Sequence, residues 1–124
     1  MQLTRDSSAL YYIRAWEPGR LRVADRWLTG NVIIGTSEII EDWTAIDPRD
    51  LTIADLEPAL ALSPAIIVLG TGTEQVLPDV ELMAAAAQRS VGLEIMSTPA
   101  ACRTFNVLLQ EQRRVVAVLF NEAR

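Results

Sequence analysis

Histidine and lysine are both absent from this 124-residue chain, and cysteine occurs once. Without imidazole there is no Ser-His-Asp triad, no Cys-His dyad and no histidine metal site. Without lysine there is no Schiff-base chemistry and no P-loop lysine, and all eleven basic residues are arginine. Alanine is abundant, and a GC-rich genome produces the same bias. The single thiol, Cys102, can form neither an internal disulfide nor a thiolate cluster. Long apolar runs are missing too. Stretches such as Ala65 to Leu69 fall far below the ~20 residues of a spanning helix, so membrane insertion is not expected. Met1-Gln2-Leu3-Thr4-Arg5-Asp6 has neither the apolar core of a secretory leader nor an arginine-rich amphipathic presequence, which makes the cytoplasm the expected location. Cationic clusters are scarce, with Arg113-Arg114 the one adjacent pair, and the net charge of −5 argues against a nucleic-acid partner. The acid–base groups that remain are carboxylates, two tyrosines and one thiol. Enzymatic activity is left open by this set, with the balance against it, and no cofactor or metal is expected.

What is present is enough apolar residues, half of the total, for one domain over residues 1–124 with a real core. Tyr11 to Trp16 alternates, Glu17-Pro18-Gly19-Arg20 is a turn, and Leu21 to Val23 returns. Trp27-Leu28 either continues that strand or begins another. Asn31 to Ile34 and Ile39 to Trp43 read as short strands around Gly35-Thr36-Ser37. Trp16, Trp27 and Trp43 are expected in the core of this sheet. Glu38, Glu41 and Asp42 read as a solvated strand face, and Asp47 and Asp50 flank a turn proline. After Asp47-Pro48-Arg49-Asp50 the pattern changes to alternating helix and strand. Ile53, Leu56 and Leu60 have helical spacing, with Pro58 either kinking or starting the helix. Ala65 to Leu69 reads as a buried strand and Asp79 to Gln88 as a helix resting on the sheet through Val80, Met83, Ala84 and Ala87. Gly92 is a stop signal. Leu93 to Met96, Pro99 to Gln112 and Val115 to Phe120 complete the order as strand, helix and strand. Strands followed by α-β-α-β-α-β predict an α/β domain with an N-terminal β-hairpin elaboration.

Two strand-to-helix junctions draw the eye, because ligands of open α/β sheets sit beyond the carboxyl ends of strands. In Gly70-Thr71-Gly72-Thr73-Glu74-Gln75 the glycines permit close backbone approach and the threonines supply hydroxyls. In Ser97-Thr98-Pro99-Ala100-Ala101-Cys102-Arg103-Thr104-Phe105-Asn106, Ser97 or Thr98 caps a helix and Pro99 fits its first position. The N–H groups of Ala100 and Ala101 are then expected to face outward for an anion. Arg103, Asn106 and Gln110 share one helix face, while Cys102, Phe105 and Leu109 share the adjacent one. Arg103, unfavourable near a helix N-terminus, calls for a counter-anion, either Glu74 or a ligand. Gly70-Thr71-Gly72 lacks the third glycine and later acid of a dinucleotide fingerprint. Cys102 reads as a buried structural thiol, with a reactive one as the alternative.

Gly70-Thr71-Gly72 after an apolar strand, Gly92 to Thr98, Ala100 to Leu108 and Arg113-Arg114-Val115 together resemble one widespread family. It includes the mitochondrial complex I assembly factor 3 and many small bacterial proteins of unknown function, the Mth938-like domains. The likeness runs the whole length, and Asn31 to Gly35 fits as well. It implies a three-layer α/β sandwich around a central mixed sheet. The positions it carries over are Gly70, Thr71, Gly72, Thr98, Ala101, Cys102, Arg103, Thr104 and Asn106. The leading expectation is a non-enzymatic binding or assembly module with a protein partner. The alternative is a small anionic ligand held between the Gly70–Gly72 loop and the start of the last helix, by a binding protein or an enzyme.

Overall fold

The computed structural model describes residues 10–121, so the segment Met1 to Asp6 lies outside the described residues. Strands β1 (Ile13–Glu17), β2 (Arg20–Val23) and β3 (Arg26–Thr29) form an antiparallel sheet in that order. Pro18-Gly19 turns the first pair, with Gly19 at φ +95°. Ala24, at φ 55°, turns the second. The expected N-terminal hairpin is present and a third strand extends it into a meander, so of the two readings of Trp27-Leu28 it is the new strand that forms. The meander's second turn carries neither glycine nor asparagine, the residues that normally announce such a backbone.

The central sheet has the order β5-β4-β8-β6-β7. Its members are β4 (Val32–Ile34), β5 (Ile39–Ile40), β6 (Ile66–Gly70), β7 (Gly92–Met96) and β8 (Val115–Leu119). Both neighbours of β6 run parallel to it, whereas β4 is antiparallel to β5 and β8. The sheet is thus mixed, as the resemblance implies. The second 310 turn, Ile53–Leu56, follows one at Pro48–Asp50 and leads into the short helix α1 (Glu57–Leu60), with Pro58 in its first turn. Helix α2 (Val80–Gln88) connects β6 to β7 and helix α3 (Thr98–Gln110) connects β7 to β8. Since β7 and β8 flank β6 on opposite sides, right-handed crossovers place the two helices on opposite faces.

Alternation along the buried strands sorts the core accordingly. Val68, Ala117 and Leu119 share one layer with Phe105 and Leu109 of α3 and with Leu21, Val23 and Leu28 of the small sheet. Ile67, Leu69, Val116 and Val118 face Leu82 of α2, Leu56 and Trp43. The result is three layers, with α3 and the meander on one side and α2 and α1 on the other.

Several local expectations change. Trp43 is buried, with its ring edge-on to Phe120 at 5.0 Å, but it lies beyond β5 on a loop, where its indole N–H donates to the Asp55 carbonyl. Trp16 is half-buried, and Trp27 sits on the outer face of the meander with the Arg20 guanidinium 3.9 Å above its ring. Register explains Trp27: Leu28 takes the inward position opposite Leu21, so its neighbour must point out. Helix α2 buries Leu82 and Ala86 and turns Val80, Met83, Ala84 and Ala87 outward. Its sequence is apolar almost all round, so periodicity could not select the face. The reversal after α2 uses Ser90, at φ 60°, and Gly92 is already the first residue of β7.

Candidate functional site

The carboxyl ends of β6, β7 and β8 meet where the strand order reverses, the place where α/β sheets open a crevice. Here the chain laces that crevice with its own groups. The Thr98 hydroxyl, fully buried, donates to the Phe120 carbonyl at 2.6 Å and accepts from the Gly72 N–H at 2.8 Å. The Thr98 N–H donates to the Gly72 carbonyl, the Thr71 N–H to that of Met96 and the Phe120 N–H to that of Gly70. The Thr71 hydroxyl donates to the Glu74 carbonyl at 2.7 Å and accepts from the Val76 N–H at 2.9 Å. Gly70 is needed because a Cβ there would lie 2.8 Å from the Thr98 Cα. Gly72 holds φ +112°.

The start of α3 is equally occupied. Ser97 is the N-cap, accepting from the Ala100 N–H at 3.4 Å, so Thr98 is the first helical residue and Pro99 the second. The Ala101 N–H donates to the Ser97 carbonyl at 2.8 Å, and proline has none to offer. The expected outward N–H groups of Ala100 and Ala101 are therefore paired within the helix start. Ala101 and Cys102 are buried in the core beside Phe105. The Thr104 hydroxyl lies 3.3 Å from the Met96 sulfur. Asn106 turns to the meander, where its amide accepts from the Ile13 N–H and donates to the Ile13 carbonyl, both at 2.8 Å. It thereby completes the edge of β1 as a neighbouring strand would. Arg103 is exposed and has no ion-pair partner among the described residues. Glu74 borders a different cleft, of about 240 Å³, with Arg49 and Thr73.

The nine positions thus divide. Gly70, Thr71, Gly72 and Thr98 lace the strand ends, and Ala101 and Cys102 fill the core. The Thr104 hydroxyl donates to the Met96 sulfur, Asn106 clasps β1, and Arg103 lines a cleft of about 250 Å³ between β1 and α3, bordered also by Cys102, Asn106, Arg14 and Trp16.

Sequence reasoning missed Asn121 and Asn31. Buried Asn121 accepts from the Trp16 indole N–H at 3.1 Å, and its backbone N–H donates to Asn31 Oδ1 at 2.8 Å. Asn31 in turn donates to the Ala45 carbonyl. These contacts tie the meander to the end of β8. The available signal was an asparagine directly after an unbroken apolar strand, a position where a buried amide must find partners.

Burial pushes the Cys102 thiol up from 9.0 to about 12, outweighing the Arg103 charge that lowers it. Three units lower the thiolate population about a thousandfold at neutral pH. Native Cys102 is expected to react with iodoacetamide at least about a hundredfold more slowly than in the urea-unfolded chain. Equal rates in a stopped alkylation assay would contradict the burial argument. The thiol's contribution to stability is constant below about pH 9. Above that the unfolded chain loses the proton first, so stability falls as pH rises towards about 12.

This is a three-layer α/β domain whose strand ends are closed by its own hydrogen bonds. The chain belongs to the family described as protein of unknown function (DUF498/DUF598), whose model matches residues 13–120. A Bordetella pertussis protein described as an Mth938-like domain superimposes with a TM-score of 0.79 at 26% identity, over 93% of this chain and 88% of that one. The zebrafish NADH dehydrogenase [ubiquinone] 1 alpha subcomplex assembly factor 3 is 27% identical over 94% of this chain and 68% of its own length. A Francisella tularensis protein named "13 kDa major membrane protein" is 30% identical over 71% of this chain and 72% of its own. Among the described residues no helix is long and apolar enough to cross a membrane.

Proposed function

We propose that this protein is a non-enzymatic binding module of the assembly-factor kind, acting by contact with another protein. The observation that carries this reading is the laced crevice: the chain's own hydroxyls and amides occupy the place where an α/β enzyme holds its substrate. The buried thiol, held protonated, supports it, since nucleophilic chemistry needs the thiolate. So does the relationship to assembly factors, proteins named for a role in building a complex. Exposed apolar side chains, Val80 at 76% and Met83 at 40% on α2 and Leu77 just before it, are of the kind that protein contacts use.

The test is affinity purification of the chromosomally tagged protein from its native host, followed by quantitative mass spectrometry. A single partner in stoichiometric amount, reproducible across growth conditions, is expected. Recovery of the free protein alone under every condition would overturn the reading.

A further inference from the structure

The arginines are not distributed evenly in their pairing. Arg20, Arg26, Arg49, Arg89 and Arg113 each lie against a carboxylate, and Arg114 donates to the Ser63 carbonyl. Arg14, Arg22 and Arg103 have no such partner among the described residues. Two of them share a cleft, and the third lies on the neighbouring strand. Arg14 and Arg103 line the cleft between β1 and α3, and Arg22 faces Ala15 across the β1–β2 pair with its Nε buried and unbonded. In a chain of net charge −5, the meander carries Arg14, Arg20, Arg22 and Arg26 against Glu17 and Asp25. The two uncompensated cations that line this cleft, Arg14 and Arg103, give it a local positive field.

The same cleft is bordered by an open strand edge. β1 is an outer strand of the meander, and its outer edge faces α3, because the Ile13 N–H and carbonyl point to Asn106. The Pro18-Gly19 loop closes on Glu17 and Arg20. Pair types alternate along an antiparallel ladder, so Trp16, opposite Leu21, is a non-hydrogen-bonded position. Its backbone N–H and carbonyl therefore point away from β2, towards the cleft. Asn106 satisfies the edge at Ile13, and nothing among the described residues does so at Trp16. A helix satisfies its own backbone groups, whereas the N–H and carbonyl of Trp16 call for an extended partner. A short extended segment suits the cleft.

We propose that this cleft receives an extended acidic segment of a protein partner, which adds to the edge of β1 at Trp16 while its carboxylates meet Arg14 and Arg103. The proposal rests on the protein-binding reading above and names where the contact is made and with what chemistry. Main-chain bonds to the strand edge supply affinity, and the flanking guanidiniums select acidic side chains.

Fluorescence anisotropy of a labelled peptide of alternating glutamate and valine tests it, with a lysine–valine peptide as control. The acidic peptide is expected to bind and the lysine peptide not. Binding is expected to weaken steeply between about 50 mM and about 500 mM salt as screening shortens. The double variant Arg14→Glu/Arg103→Glu is expected to weaken it at least about tenfold, and Arg113→Glu to leave it unchanged. Both cleft arginines are exposed, so an unaltered melting temperature will show the fold intact. N-methylation of the central peptide residues is expected to remove binding, since strand addition needs their N–H groups. Equal binding by the double variant, equal binding of the lysine or N-methylated peptide, or no binding of the acidic peptide at low salt would each overturn the proposal. So would a double variant that loses only self-association in sedimentation, or only binding to phosphatidylglycerol vesicles. Those results would give the cleft to a second copy or to a membrane. If the native partner co-purifies equally with wild type and double variant, the binding module stands and this cleft is not its contact.

Discussion

Gly70→Ala is expected to destabilise the protein by about 3 kcal/mol, at the upper end of overpacking costs. The added methyl would sit 2.8 Å from the Thr98 Cα, 2.9 Å from its hydroxyl and 3.0 Å from a Leu119 methyl. The first contact is with backbone, in a helix start held by bonds to Gly72 and Phe120, so neither a rotamer change nor a local shift relieves it. The lacing must stretch or β6 must move away from β8. For a domain of this size the loss corresponds to a fall in melting temperature of about 10 °C. Gly92→Ala is the matched control. It lies at the start of the edge strand β7, where a Cβ would meet Ile66 at an ordinary 3.6 Å. It is expected to change stability by less than about 0.5 kcal/mol, because a strand glycine also loses more entropy on folding than alanine. Urea titrations of the two variants decide the matter. Similar midpoints would mean that the close approach of β6 to α3 is not a real constraint.

The same glycine shows how far the sequence could be read. At Gly70 the object closely approached is the chain itself, whereas Gly72 meets no neighbour and serves its positive φ. A glycine reports that something comes near; it does not say whether that is a phosphate or a helix. Thr98 and Ser97 were legible as helix-start residues by their type. Which of them caps depended on where the Thr98 hydroxyl could do more, and the Phe120 carbonyl that attracts it is 22 residues distant. The layers of the fold were legible because the apolar runs at β6 and β8 are too short for helices and rich in β-branched residues, as central strands are. The antiparallel placement of β4 against β8 was not, since pairing direction leaves no mark in composition. For Arg103 the dipole argument calls for a counter-anion, and Glu74 is not it: among the described residues Arg103 has no ion-pair partner. Its cleft faces β1, 89 residues earlier in the chain, and no local pattern could have joined the two.

Thr98→Val is expected to cost about 3 kcal/mol although it changes the side chain's volume hardly at all. The hydroxyl is the shared partner of the Gly72 N–H and the Phe120 carbonyl, in a residue without exposed surface. Valine preserves the packing and removes the partner from both, and each buried group left unpaired costs about 1–3 kcal/mol. Thr98→Ser makes the opposite change, keeping the hydroxyl and deleting one methyl, at an expected cost of about 1 kcal/mol. The order of the two variants in urea unfolding separates hydrogen bonding from packing. Amide hydrogen exchange at Gly72 gives a local reading, with protection lost in the valine variant and kept in the serine one. The sign of the valine effect carries functional meaning as well. Groups held ready for a ligand are commonly strained, and their removal tends to raise stability. Groups that lace strand ends together lower it when removed. A valine variant as stable as wild type, or more so, would return the junction to the class of ligand sites and remove the main support for a module that works through its surface.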